Sequence, residues 1–384
     1  MTIRPDLRQR PIQPSAVRRC VADLEAYSPP ADPAALAERL GRPVESIVKL
    51  DANENPFGPS PLVQERLSQY STYHVYPDAA QREGRTALAD YAGVPAEHLM
   101  LGNGADELID LLMRAYIEPG DEVLDFPPSF GMYAFNARLC DARVVEVPRD
   151  DAFAIDVDAA LAAITPRTKL ILLTSPNNPT GTVMPTADVR RLLGAGPLVV
   201  LDEAYAEFAQ VDGQGYESMI REVLTYPNLV VLRTFSKWAG LAGLRIGYAA
   251  LPSGVAEHLW KIKPPFNANV AAIAAMIESL REREHLMGTV RKIVAERDRL
   301  LRELPGTRIL RPHPTRANFI LCNVIGMDAR ELHDRLADRG ILVRHYGTPL
   351  LRDKLRISVG RPDQNDILLA TLRDIATEGT NTLE

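Results

Sequence analysis

Two hydrophobic periods alternate along the chain. From about residue 62, short apolar runs of strand length are interleaved with stretches whose apolar positions recur at helical spacing. That order predicts an α/β domain on a mostly parallel sheet flanked by helices. Glu122–Phe126, Arg143–Val147, Lys169–Leu173, Leu198–Leu201 and Leu229–Leu232 read as strands. Leu108, Leu111, Leu112 and Ala115 share one side of a helix that opens at Gly-Asn-Gly-Ala-Asp-Glu, 102–107. Upstream, Asp32 can cap a short helix, Pro33 suits its first turn and Gly41 can end it. The Asn- and Pro-rich stretch 49–61 reads as irregular backbone.

After Pro264 and Pro265 the pattern changes. Ala271–Leu304 read as charged helix, Asn318–Cys322 as a strand, and the segment between Asp328 and Gly340 as a capped helix. Strands at Ile341–His345 and Leu355–Val359 precede a last helix from Pro362. The expected organisation is an N-terminal arm and short helix over 1–48, a large domain over 49–265, and a smaller α+β domain over 266–384. Residues 1–19, basic and interrupted by Pro5, Pro11 and Pro14, read as a mobile arm, and the tail from Thr377 as frayed.

Composition narrows the function classes. At 384 residues with 46% apolar and 24% charged side chains, the chain is ordinary for a globular protein with a large core. A net charge of −6 gives no reason to expect nucleic acid as a partner. Cys20, Cys140 and Cys322 are far apart, so neither a disulfide framework nor a zinc ribbon is suggested, and a reduced cytoplasm fits. The first residues lack a signal-peptide apolar core, and no uncharged run reaches the length of a membrane span, so no membrane partner is expected. The seven histidines show no metal-ligand spacing.

The candidate chemistry sits where the apolar runs end. Leu229–Leu232 lead into Arg233, Thr234, Ser236 and Lys237, followed by Gly240, Gly243, Arg245 and Gly247. Leu198–Leu201 lead into Asp202-Glu-Ala-Tyr205, and Lys169–Leu173 into Thr-Ser-Pro-Asn-Asn-Pro-Thr-Gly181. In a parallel sheet these ends lie on the carboxyl edge, where α/β folds bind ligands. A lysine there can form a Schiff base with an aldehyde cofactor. Pyridoxal phosphate further needs a carboxylate at its ring nitrogen, donors at its phenolate oxygen, an aromatic against its ring and a cup for its phosphate. Asp202, Asn178 with Tyr205, Phe130, and the Ala105/Asp106 helix start with Ser236 and Arg245 would supply all four. Each alone has an ordinary reading: a helix cap, a turn residue, a core aromatic or a surface ion pair. A strand ending in Asp-Glu also suggests a nucleotide hydrolase, but no GxxxxGK[ST] occurs. The GxG at 102–104 lacks the third glycine of a dinucleotide site.

Taken with these residues, Ser-Pro-Asn-Asn-Pro-Thr-Gly (175–181), Asp-Glu-Ala-Tyr (202–205) and Ser-Lys with an arginine eight residues after the lysine resemble the fold-type-I pyridoxal-phosphate aminotransferases. Leu-Asp-Ala-Asn-Glu-Asn-Pro (50–56), Tyr-Pro-Asp (76–78), Pro-Pro-Ser-Phe-Gly-Met-Tyr (127–133), Gly-Ile-Leu-Val-Arg (340–344) and Leu-Arg-Ile-Ser-Val-Gly (355–360) are similar to the histidinol-phosphate aminotransferase branch. The resemblance runs from about Tyr27 to about residue 372 and implies an aspartate-aminotransferase-like architecture. It further implies transamination between histidinol phosphate and 2-oxoglutarate in histidine biosynthesis, a small-molecule amino donor with a 2-oxo acid acceptor. Lys237 would carry the cofactor, Asp202 would serve the ring nitrogen, and Asn178 and Tyr205 the phenolate oxygen. Ala105, Asp106, Ser236 and Arg245 would hold the phosphate, with Tyr76 reaching the cofactor of a neighbouring subunit in a homodimer with shared sites. Arg356 would grip an anionic substrate group, and Arg344, Tyr27, Asn53 and Asn267 would line the substrate site.

Two departures bear on substrate choice. Phe130 stands where the family often has tyrosine, and His-Tyr-Gly-Thr-Pro follows Arg344 where an acidic residue is expected. An aromatic amino-acid aminotransferase and a threonine-phosphate decarboxylase share much of the pattern. A transcriptional regulator with an aminotransferase-like domain would need a helix-turn-helix, which the short segment before Tyr27 does not supply.

Overall fold

The computed structural model describes residues 17–26, 29, 31–211, 213 and 215–380. Its strands are β1 (Val48–Leu50), β2 (Leu99–Gly102), β3 (Glu122–Asp125), β4 (Arg143–Glu146), β5 (Thr168–Thr174), β6 (Leu198–Asp202), β7 (Leu229–Thr234), β8 (Gly247–Ala250), β9 (Leu310–Pro312), β10 (Phe319–Val324), β11 (Ile341–His345) and β12 (Lys354–Ser358). They form a seven-stranded sheet, ordered β2-β8-β7-β6-β5-β3-β4, and a five-stranded sheet, ordered β1-β11-β12-β10-β9.

The large sheet is parallel except for β8, which runs against β2 and β7. Apart from the edge strand β4, its strands are buried on both faces, and most of them read as continuous apolar runs. Period-two alternation still sorts the side chains. Leu229 and Val231 enter one core, while Val230 and Leu232 enter the other. The first core continues into the helices Thr186–Leu193 and Arg283–Glu303; the second into Ala105–Tyr116 and Ser253–Ile262.

Local signals act as their chemistry predicts. Asp32 caps the helix Pro33–Leu40 by accepting from the Ala34 N–H, and Gly41 closes it in the left-handed conformation. Asp328 caps Ala329–Ala337 in the same way. The stretch expected as one helix over 271–304 is two, Val270–Arg281 and Arg283–Glu303, broken at Glu282. The last helix runs from Pro362 to Thr380, so the chain does not fray at Thr377. The expected arm lies mostly outside the described residues, as does Tyr27.

The expected boundaries do not follow the sheets. β1 straddles 48/49 and pairs in parallel with β11 of the five-stranded sheet. Beyond residue 265, Val270–Arg281 packs on the helices Pro61–Ser68 and Arg82–Ala92. Among the described residues, no helix is long and apolar enough to cross a membrane.

Candidate active site

Register brings the strand ends together. Gly102 of β2 pairs with Gly247 of β8, and Gly247 pairs with Thr234 of β7. The exits of β2 and β7 and the entry of β8 therefore lie side by side, with neighbouring strands about 4.8 Å apart. Ala105 follows the first, Ser236 and Lys237 the second, and Arg245 precedes the third. β6 comes next in the sheet and ends at Asp202; β5 follows and leads to Asn178; β3 then leads to Phe130.

At one end of this row lies an anion cradle. Arg245 donates from Nη2 to Asp106 at 3.0 Å and from Nη1 to the Ser236 hydroxyl at 3.3 Å. The helix beginning at Ala105 presents its free N–H groups beside them. The cradle requires glycine. Gly104 has φ 78, and a Cβ there would strike the Arg245 guanidinium. A Cβ on Gly247 would lie 2.7 Å from the Ala105 nitrogen.

Lys237 stands at the centre, its Nζ donating to the Ala52 carbonyl at 3.1 Å. Burial pushes the amine down to about 8; Arg356 and Arg245 push the same way, and Glu54 and Asp106 oppose them. A lysine that loses its proton so near neutrality can act as a nucleophile and as a base.

Asp202 is buried, and burial pushes its carboxyl up to about 6. It accepts from the Tyr133 hydroxyl at 2.7 Å and from the Ala204 N–H at 2.9 Å, which restrain that rise. Tyr133 also shares a 2.7 Å bond with the Thr174 hydroxyl. Sequence reasoning missed Tyr133, which lies in the first turn of the helix Met132–Leu139, just after Phe130. Their rings meet edge to face at 5.5 Å.

The second sheet supplies the opposite wall. Arg356 of β12 lies across from Arg344 of β11 and Leu321 of β10. Its guanidinium donates to Asn178 Oδ1 at 2.7 Å and to the Asp51 carbonyl at 2.6 Å. Its Nε is buried with no partner among the described residues. The rings of Phe319 and Tyr346 flank it at 5.4 and 5.8 Å, and Arg344 lies 5.6 Å from the same Tyr346 ring.

The remaining expected residues divide. Tyr205, its hydroxyl pushed up to about 12 by burial, accepts from Asn53 Nδ2 at 3.0 Å. Asn53 has φ 54 and is tied to Ser358 through its N–H and its Oδ1. Asn267 is engaged by Gln81, Lys263, the Leu101 carbonyl and Glu107. Arg344 donates to the Pro29 carbonyl. Tyr76 is 77% exposed and stacks on Phe266 at 4.5 Å. Arg233 turns from the site into a buried network with Glu203 and Glu207 at 2.8 and 3.0 Å.

An amine of lowered pKa, a buried carboxylate, and a glycine-lined anion cradle along one sheet edge fit pyridoxal phosphate residue by residue. Fold and site together define a pyridoxal-phosphate-dependent aminotransferase. The chain belongs to the aminotransferase class I and II family, which residues 45–372 match. It is 49% identical over 372 residues to the histidinol-phosphate aminotransferase of Roseiflexus castenholzii, covering 94% of this chain and 98% of that protein. With the chloroplastic histidinol-phosphate aminotransferase 1 of Arabidopsis thaliana it shares 44% over 361 residues, covering 94% and 85%. The crystal structure of the Sinorhizobium meliloti histidinol-phosphate aminotransferase in complex with pyridoxal 5'-phosphate superposes with a TM-score of 0.85 at 30% identity, covering 95% of this chain and 98% of that one.

Proposed function

We propose that this enzyme transaminates histidinol phosphate with 2-oxoglutarate as acceptor, in histidine biosynthesis in the cytoplasm, as a homodimer with shared sites. The observation that carries the reading is Arg356, a buried guanidinium with a donor to spare, facing Asn178 beside Lys237. A guanidinium matches carboxylate and phosphate alike. One group can therefore serve the acceptor's carboxylate and the donor's phosphate in alternate half-reactions. The relatives named above support the choice of donor.

When bound, pyridoxal phosphate supplies an electron sink for the bond broken at the substrate's Cα. Lys237 would hold the cofactor, and its amine, pushed down to about 8, would take the proton from the substrate's Cα. Asp202 holds a negative charge against the ring nitrogen, and Tyr133 keeps that carboxylate oriented. Tyr205 and Asn178 serve the ring's phenolate oxygen. Phe130 would lie against the ring face. Arg245, Ser236 and the N–H groups of Ala105 and Asp106 hold the phosphate. Tyr76, exposed on its own subunit, would reach across to the cofactor phosphate of the partner in such a dimer.

A second reading is an aromatic amino-acid donor, favoured by the Tyr346 and Phe319 rings beside Arg356. Single half-reactions of the holoenzyme with histidinol phosphate, phenylalanine, tyrosine, glutamate and phosphothreonine separate the two. Highest kcat/KM for histidinol phosphate is expected. Preference for phenylalanine or tyrosine would replace that reading with the aromatic one.

A further inference from the structure

A cavity of about 530 Å³ lies outside the cluster at Lys237. Segment 149–155 and the loop Gly181–Pro185 form one side; Arg297, Leu301 and Thr315–Arg316 form the other. None of the residues gathered at Lys237 lines it. Its size is that of a small-molecule pocket.

Arg149 is the informative residue. Its side chain is buried, 9% exposed, with Nε donating to the Phe126 carbonyl and Nη1 to the Phe153 carbonyl, each at 3.1 Å. Among the described residues Nη2 has no hydrogen-bond partner and no carboxylate forms an ion pair with the group. Burial pushes Arg149 down to about 10, and Asp125 and Asp150 offset this only in part. A buried cation without a counter-ion is unfavourable and gains from an anion.

The rest of the lining is largely apolar, with Phe153, Ile155, Val183 and Met184. Phe153 adopts φ 60, a conformation a bulky residue rarely takes, and its carbonyl serves both Arg149 and the Thr182 hydroxyl. Arg149 is thereby joined to the loop that continues from Asn178. That loop is tied to the other half of the chain through the Arg316 N–H, which donates to the Gly181 carbonyl at 2.9 Å.

We propose that this cavity is a second binding site, for a small organic anion whose carboxylate or phosphate pairs with Arg149 and whose apolar body lies against Phe153, Ile155, Val183 and Met184. The test is ligand-observed saturation-transfer NMR on the holoenzyme with benzoate, phenyl phosphate and inorganic phosphate as probes. Wild type, Arg149→Met, Val183→Trp and Arg356→Ala are compared. At least one aromatic probe binds the wild type and still binds Arg356→Ala. Arg149→Met and Val183→Trp each weaken it roughly tenfold or more, the former by removing the charge and the latter by filling the space. Whichever of benzoate and phenyl phosphate binds more tightly identifies the anion. The proposal is overturned if no aromatic probe binds the wild type, or if binding survives both cavity variants. It is also overturned if only Arg356→Ala abolishes binding, or if inorganic phosphate binds as tightly as phenyl phosphate. Should Arg149→Met fail to fold, Val183→Trp decides, because no side-chain hydrogen bond is lost there.

Discussion

Replacing Asp202 by asparagine should stabilise the cofactor-free protein while disabling the enzyme. The carboxyl is buried, and burial raises it to about 6 from 3.8. A raised folded value means that stability is fully present below about pH 3.8 and is lost as pH rises through about 6. A difference of about two in pKa, at about 1.4 kcal/mol each, makes the loss roughly 3 kcal/mol near pH 7.5. The same linkage leaves about 1 kcal/mol at pH 4.5. Asparagine keeps the shape and has no charge to bury. Tyr133 can turn its hydroxyl to donate to Thr174 and accept from the new amide, because either hydroxyl of that pair can donate. Apo Asp202→Asn should therefore exceed the apo wild type by up to about 3 kcal/mol at pH 7.5, falling to about 1 kcal/mol at pH 4.5. Transamination should drop by about 10² or more, since the ring nitrogen loses its anionic partner. Urea denaturation of both apoproteins at matched concentration reads the first effect. An advantage that is flat with pH, or that grows toward acid, would refute the reasoning.

Tyr133→Phe removes a hydrogen bond that holds the Asp202 carboxyl down; the acid limb of kcat/KM should move to higher pH, and an unmoved limb would exclude this positioning role. Arg356→Gln should raise the KM for histidinol phosphate about 10²-fold, from the loss of charge-assisted hydrogen bonds, with a much smaller effect on cofactor affinity. Equal losses in both would assign Arg356 to the cofactor instead. Lys237, at about 8, should capture cofactor into the apoprotein with a rate rising about tenfold from pH 6 to pH 7 and levelling above pH 8. A flat profile would mean that the neutral amine is not the reacting species.

The strand-end residues were legible because apolar runs stop abruptly at polar ones, and parallel topology puts such stops on one edge. Asp202, Ser236, Lys237 and Arg245 all meet there. β8 was not legible: Gly247-Tyr-Ala-Ala is short and small, and only its pairing with β2 and β7 makes it a strand. β1 is three residues long, and its partner β11 lies about three-quarters of the chain away, so no local pattern announces it. Tyr133 escaped because a buried tyrosine in a helix reads as core until its hydroxyl partner is known. Asn53 and Asn267 show the converse limit. Sequence marks an amide as available, but the structure engages Asn53 with Tyr205 and Ser358, and Asn267 with Gln81 and Glu107.

The central claim is that Lys237 holds the cofactor at this edge. Borohydride reduction of the holoenzyme followed by peptide mass mapping tests it most directly. A single pyridoxyl adduct on Lys237, absent from Lys237→Ala, is the predicted result. An adduct on another lysine, or an undiminished yield of adduct in Lys237→Ala, would contradict the assignment and the site built around it.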